Sequence, residues 1–101
     1  MMGGKNMAGM MKQMQKMQKE VKKTQDALNE QDFVGKSAND YVVATFKGDK
    51  TMVDLQINPE VMDPEDPDMA QDLIVDAVNQ AITQINNETE QKLGKYTKGL
   101  M

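Results

Sequence analysis

Between Met7 and Leu28, apolar residues recur on one face of a helix for three heptads, and this recurrence restricts the fold more than any other feature of the chain. With Met7 at position a, Met14, Val21 and Leu28 also fall at a, while Met10, Met17 and Thr24 fall at d. Thr24 alone interrupts the seam. A stripe of this kind asks for another helix along it. The lysines keep to the other side of the same frame: Lys5, Lys12 and Lys19 at f, Lys16 and Lys23 at c, Lys22 at b. One face is thus for packing and the opposite face is basic. Met, Lys, Gln and Glu dominate the segment, all good helix formers, so a helix is predicted over 7–30, about 36 Å long. Residues 1–6, with Gly3 and Gly4, are predicted to be disordered.

Charge is segregated along the chain. Residues 1–24 hold six Lys and one acid, and residues 91–101 hold three Lys and none. Residues 25–90 hold three Lys against fifteen acids. The net charge of -4 hides two basic ends, and basic ends point to a polyanion partner where the whole-chain value would not.

Three strands are predicted over 33–58. Phe33–Ala38 contains Gly35 and reads as a weak or edge strand. Asn39-Asp40 is a turn signal. Tyr41–Lys47 is β-branched and aromatic. Gly48-Asp49 fits a two-residue hairpin turn with Gly first, which sets Lys47 opposite Lys50 and Phe46 opposite Thr51. One sheet face then gathers Val42, Ala44, Phe46, Val53, Leu55 and Ile57 as the core face. The mixed other face carries Tyr41, Val43 and Met52, which fit a partner surface. Asp66-Pro67-Asp68 has the form of an N-cap, a proline at the first helical position and an acid in the first turn. A second helix is predicted over 67–93, stopped by Gly94, with a mobile basic tail over 94–101.

The expected architecture is α+β, in the order α-β-β-β-α, with a small antiparallel three-stranded sheet and two long helices protruding beyond it. A single domain of 101 residues buries only a modest core. An overhanging methionine seam is a poor surface to leave in water. A homodimer is therefore expected, with Met7, Met10, Met14, Met17, Val21, Tyr41, Val43 and Met52 as interface candidates. Helix 2 of the same chain is the alternative cover for part of the seam.

Much chemistry is excluded by composition. The chain has no Cys, no His and no Arg. Disulfides, thiolate metal sites and the usual nucleophilic triads are ruled out. Ser37 is the only serine and has no neighbouring base. No phosphate-binding glycine motif is present. Asp63, Glu65, Asp66 and Asp68 fit no calcium-loop spacing and read as helix-start acids. The Met-x-x-Met spacings would suit copper(I), but the heptad accounts for the same residues as packing. A membrane-surface helix would carry Trp, Phe or Leu on its apolar face, and this one carries Met. No run is long enough for a membrane span, and MMGGKNMAG lacks the core of a signal peptide. No enzyme activity, metal, cofactor or small-molecule substrate is expected. A coiled-coil module that docks another protein on its Met surface is the competing reading.

The motifs MMKQMQKMQKEVKKTQDAL, ATFKGD, INPEVMDPEDPDMAQDLIVDAVNQAI and KLGKYTKGL together resemble the YbaB/EbfC family of bacterial nucleoid-associated proteins. The resemblance runs from about Met7 to Leu100, so 1–101 reads as a single domain of this type. It implies a tweezer-shaped homodimer that binds double-stranded DNA in the cytoplasm, at the nucleoid, with a role in nucleoid organisation and gene regulation. It also implies DNA contacts from the protruding helices, here Lys12, Lys16, Lys19, Lys22 and Lys23, joined by Lys92, Lys95 and Lys98.

Overall fold

The computed structural model describes residues 2–98, with side chains from 7 to 96. The elements run α1 (Met2–Glu30), β1 (Asp32–Lys36), β2 (Val42–Lys47), β3 (Met52–Ile57) and α2 (Pro67–Lys98). The three strands form one antiparallel sheet in the order β1-β2-β3, giving the α+β, α-β-β-β-α architecture. The molecule is strongly elongated, 78 × 22 × 16 Å, because both helices outrun the sheet.

The heptad frame of α1 matches its packing. Leu28 is buried, and Met17, Val21 and Thr24 are half-buried, so the a/d positions from Met17 on are drawn against α2 and the sheet, with Gln25 and Asn29 half-buried beside them. N-terminal to Met17 every described residue of α1 is exposed. The helix also starts earlier than the sequence predicts. It takes in Met2 to Asn6, which were expected to be disordered, because no proline or capping signal stops it. Gly3 and Gly4 each disfavour helix by about 1 kcal/mol.

α2 opens as its sequence dictates. Asp66 Oδ1 accepts from Met69 N at 3.4 Å and Pro67 takes the first helical position. Its far end differs from expectation: the helix passes through Gly94 and reaches Lys98. Gly94 keeps a negative φ and therefore cannot form the left-handed C-cap that would stop it. A basic tail over 94–101 thus gives way to helix as far as Lys98. Residues 99–101 lie outside the described residues.

α2 lies across β1 and β2. The core is Phe33, Val42, Ala44, Phe46, Ala77, Ala81 and Ile85. Gly35 is central to it, because a Cβ there would collide with Ala77 O and Ala81 N. Gly35 with two helix alanines lets the backbones approach closely. The β1–β2 turn places Asn39 and Asp40 at φ 57 and 58, the region these two residue types tolerate. Ser37 is buried there, its Oγ accepting from Val42 N at 2.9 Å. That serine is structural.

The β2–β3 connection corrects the sequence reading. No glycine among the described residues has a positive φ, and the left-handed residue of the turn is Lys50, at φ 72. Lys50 N donates to Lys47 O and Lys47 N to Thr51 O, both at 2.8 Å. The loop is therefore Gly48-Asp49-Lys50, one residue longer than predicted. A bulge opposite Thr45 and Phe46 adds a second one-residue shift, so Phe46 faces Met52. Two odd shifts restore the parity. Ala44 pairs with Leu55 and Val42 with Ile57, so Leu55 and Ile57 do share the α2 face. They are not equally covered, however. Val53 is 49% and Leu55 36% exposed, against the expectation of core, because α2 reaches β3 only near Ile57.

Candidate nucleic-acid interface

Lys12, Lys16, Lys19, Lys22 and Lys23 all lie on α1 and all are exposed. Among the described residues none of the five has an acidic group within 4.0 Å. From Lys12 to Lys23 the row covers about 16 Å of helix, the axial length of about five base-pair steps. Lys22 differs from the rest in bordering the groove between α1 and α2. The C-terminal candidates are more engaged. Lys92 pairs with Glu88 at 3.2 Å. The Lys95 ammonium stands 5.1 Å from the centre of the Tyr96 ring. The side chain of Lys98 lies outside the described residues. Among the described residues the structure thus leaves all five α1 candidates free of ion pairs, and places Lys92 in a local pair.

Apart from Glu20 and Asp26 on α1, most acids stand away from this row. Asp63, Glu65, Asp66, Asp68, Asp72 and Asp76 are all exposed around the start of α2 and its first turns. Asp63 Oδ1 accepts from Glu65 N at 2.9 Å, which makes it a turn former like Asp66. One end of the long molecule is acidic and the arm is basic.

The apolar candidates divide into three groups. Met7, Met10 and Met14 are uncovered, at 67%, 62% and 57% exposure, and Met11 beside them is equally bare. Met17 and Val21 are half-buried, lining with Leu93 and Tyr96 a groove of about 750 Å³ between the helices. Part of the seam is therefore covered by α2 of the same chain. Tyr41 and Val43 are half-buried, and Met52 is exposed.

The two sheet edges were not distinguishable in sequence. Along β1, Gln84 Nε2 donates to Val34 O at 2.8 Å and Lys36 N donates to Gln80 Oε1. Among the described residues no such side-chain link runs along Met52–Ile57. β3 is thus an open edge with Val53 and Leu55 exposed on it, and Ile57 leads into a groove with Met62, Ala70 and Ile74. The exposed apolar residues Val53, Leu55 and Met62 are absent from the sequence-derived interface. Alternation marks Val53 and Leu55 as apolar but says nothing about which strand a helix leaves bare.

A basic helical arm on a small antiparallel sheet is a surface suited to a polyanion. The particular family follows from comparison. Residues 2–100 match the model of the YbaB/EbfC DNA-binding family, and the chain belongs to that family. A nucleoid-associated protein of Enterococcus faecalis is 60% identical over 100 residues, covering 99% of this chain and 96% of its own. One from Lactococcus lactis subsp. cremoris is 56% identical over 95 residues, covering 94% and 96%. A crystal structure of an uncharacterised Helicobacter pylori protein shares the fold, with TM-score 0.65 and 23% identity over 77% of this chain and 90% of that one. The family is one of DNA binding and not an enzyme family. No helix among the described residues is long and apolar enough to cross a membrane.

Proposed function

We propose that this chain is a nucleoid-associated protein that binds double-stranded DNA as a homodimer, through phosphate contacts from the α1 lysines. The observation that carries the reading is the row Lys12, Lys16, Lys19 and Lys23, exposed on a protruding helix and in no ion pair among the described residues. Lysines present point charges, and the chain has no Arg to grip a guanine edge in two places. Such an inventory positions a protein on the backbone without reading bases. Lys22, Lys92, Lys95 and Lys98 are secondary contacts. The role is organisation of bacterial chromatin at the nucleoid, with gene regulation following from occupancy.

The homodimer reading is supported by the open β3 edge. An unpaired strand with exposed apolar residues invites a second copy, and a two-fold pairing there leaves both arms free to straddle a duplex. Met7, Met10 and Met14 lie far out on α1 and are outside that contact. The test is sedimentation equilibrium of the wild type and Leu55→Glu, together with retention on duplex DNA. Wild-type dimers that bind DNA, and Leu55→Glu monomers that bind it much more weakly, are expected. A wild type that is monomeric at micromolar concentration, or that ignores DNA at low salt, overturns the reading.

A further inference from the structure

We infer that the bare end of α1 is a second self-association site, where the Met7–Met14 stripe of one copy packs antiparallel against the same stripe of another, tip to tip. This rests on the dimer and DNA-binding readings above. Within one copy the heptad frame already works as a packing surface, since Met17, Val21, Thr24 and Leu28 are its covered positions. The same frame continues outward through Met14, at the rim of the groove with Leu93 and Tyr96, to Met10 and Met7, and all three are exposed among the described residues. What covers a seam of this kind is another helix.

The flanks indicate which helix. Positions e and g beside the bare stripe are Met11, Gln13, Gln18 and Glu20. No lysine stands there, so a second α1 approaches without like-charge opposition. Lys12, Lys16 and Lys19 stay on the outer face, available to phosphates. A two-fold axis passing between Met10 and Met11 sets Met7 of each copy against Met14 of the other. Unbranched thioether side chains suit such a contact, because they adapt to a surface made of their own kind. The groove formed by Met14, Met17, Val21, Leu93 and Tyr96 continues the apolar surface inward.

The overlap is only about two helical turns, so the contact is weak alone. It gains from the high local concentration of copies on one DNA molecule. Two self-complementary contacts, β3 at the sheet and the stripe at the arm, lie far apart on a 78 Å body. Repeated use of both makes an open array that joins one DNA segment to another.

The experiment is capture of a free duplex by a bead-bound duplex through the protein, beside sedimentation velocity without DNA from low to high micromolar concentration. Wild type and the pair Met10→Leu/Met14→Leu should capture the second duplex and grow beyond dimers. Met10→Gln/Met14→Gln should keep the dimer and its affinity for one duplex, capture at least tenfold less of the second, and stop at dimers. Equal capture by the Gln pair, or wild-type protein that never exceeds a dimer, overturns the inference. So does a Gln pair that falls to monomers, since the stripe would then be the primary dimer contact. If wild type fails to hold even the first duplex, DNA binding fails separately, and growth in free solution still decides the stripe.

Discussion

Gln84 Nε2 donates to the main-chain oxygen of Val34 at 2.8 Å, and this bond ties the outer edge of the sheet to the helix that covers it. With Gln80 holding Lys36 N one turn earlier, two of the outward main-chain groups of β1 are engaged by α2. Among the described residues β3 has no such side-chain tie, so it is the freer of the two edges.

Removing the tie should open the second edge. Gln80→Ala/Gln84→Ala is expected to destabilise the fold by about 1–3 kcal/mol, at about 1 kcal/mol or somewhat more per hydrogen bond. It should also raise the tendency to aggregate, because an exposed strand edge is a template for pairing. Urea unfolding and light scattering on the same sample measure both. Unchanged stability would show that the two amides are surface ornaments.

Gly35 is fixed by the closeness of α2. Gly35→Ala places a methyl against Ala77 O and Ala81 N, and overpacking of this kind costs about 1–3 kcal/mol. Gly94→Ala should have the opposite sign, stabilising α2 by about 0.5–1 kcal/mol. The nearest atom to that new methyl is Glu90 Cγ, at 3.6 Å. Thermal melts of the two variants should move in opposite directions.

DNA affinity should depend steeply on salt. Three or four phosphate contacts per subunit give a dimer a slope of roughly -5 to -7 in log K against log salt. Changing Lys12, Lys16, Lys19 and Lys23 to Gln should flatten that slope and leave helix content and dimerisation unchanged. The same quadruple change should act almost equally on unrelated duplexes, as phosphate contacts do.

Asp49 gives the hairpin a small acid sensitivity. Hydrogen bonds from the Thr51 side chain and then its main chain, aided by the Lys47 charge, hold its carboxyl below the ordinary value. Thr51 N donates to Asp49 Oδ1 at 2.9 Å. A folded-state pKa lower than the unfolded one stabilises above the unfolded value and is lost as pH falls through the folded one. Carboxyl-detected titration should therefore place Asp49 below an unstructured aspartate. Asp49→Asn should remove that part of the pH dependence.

Oxidation should spare the core. The buried hydrophobic residues are Leu, Phe, Val, Ala and Ile, with no Met among those described. Peroxide should add oxygen to Met7, Met10, Met11, Met14 and Met62 first, then to Met52 and Met69, and to half-buried Met17 more slowly. The melting temperature should stay nearly unchanged, which peptide mass mapping and circular dichroism can follow together.

The readable parts of the sequence were those set by local chemistry. The heptad register of α1 and the Asp66-Pro67 opening of α2 follow from periodicity and capping, and both stand in the structure. The glycines misled because their reasons are tertiary. Gly48 reads as a turn glycine, yet the left-handed residue is Lys50, and a Cβ on Gly48 would strike Leu28 O at the end of α1. Gly35 reads as a weakness in a strand, and it is the place where helix and sheet come closest. The α1 lysines were legible as a stripe. That Lys92 sits in a pair with Glu88 follows from their i,i+4 spacing, which the row of basic residues at that end obscured. Nothing local foretells that α2 covers two strands and leaves most of the third bare.

The separation of acidic and basic ends has a kinetic consequence. A long body with carboxylates around the start of α2 and ammonium groups on the arm is an electric dipole. Near a polyanion it experiences a torque before it makes any contact. The sheet end is pushed outward and the arm turned inward, so encounters arrive pre-aligned and the association rate rises above that of random collision. Added salt shortens the range of that torque to about one Debye length, near 8 Å at physiological ionic strength. Because the net charge of -4 is itself repelled by a polyanion, attraction depends on that orientation and is lost with it. Moving a single carboxylate from the sheet end to the arm would slow capture without altering the net charge.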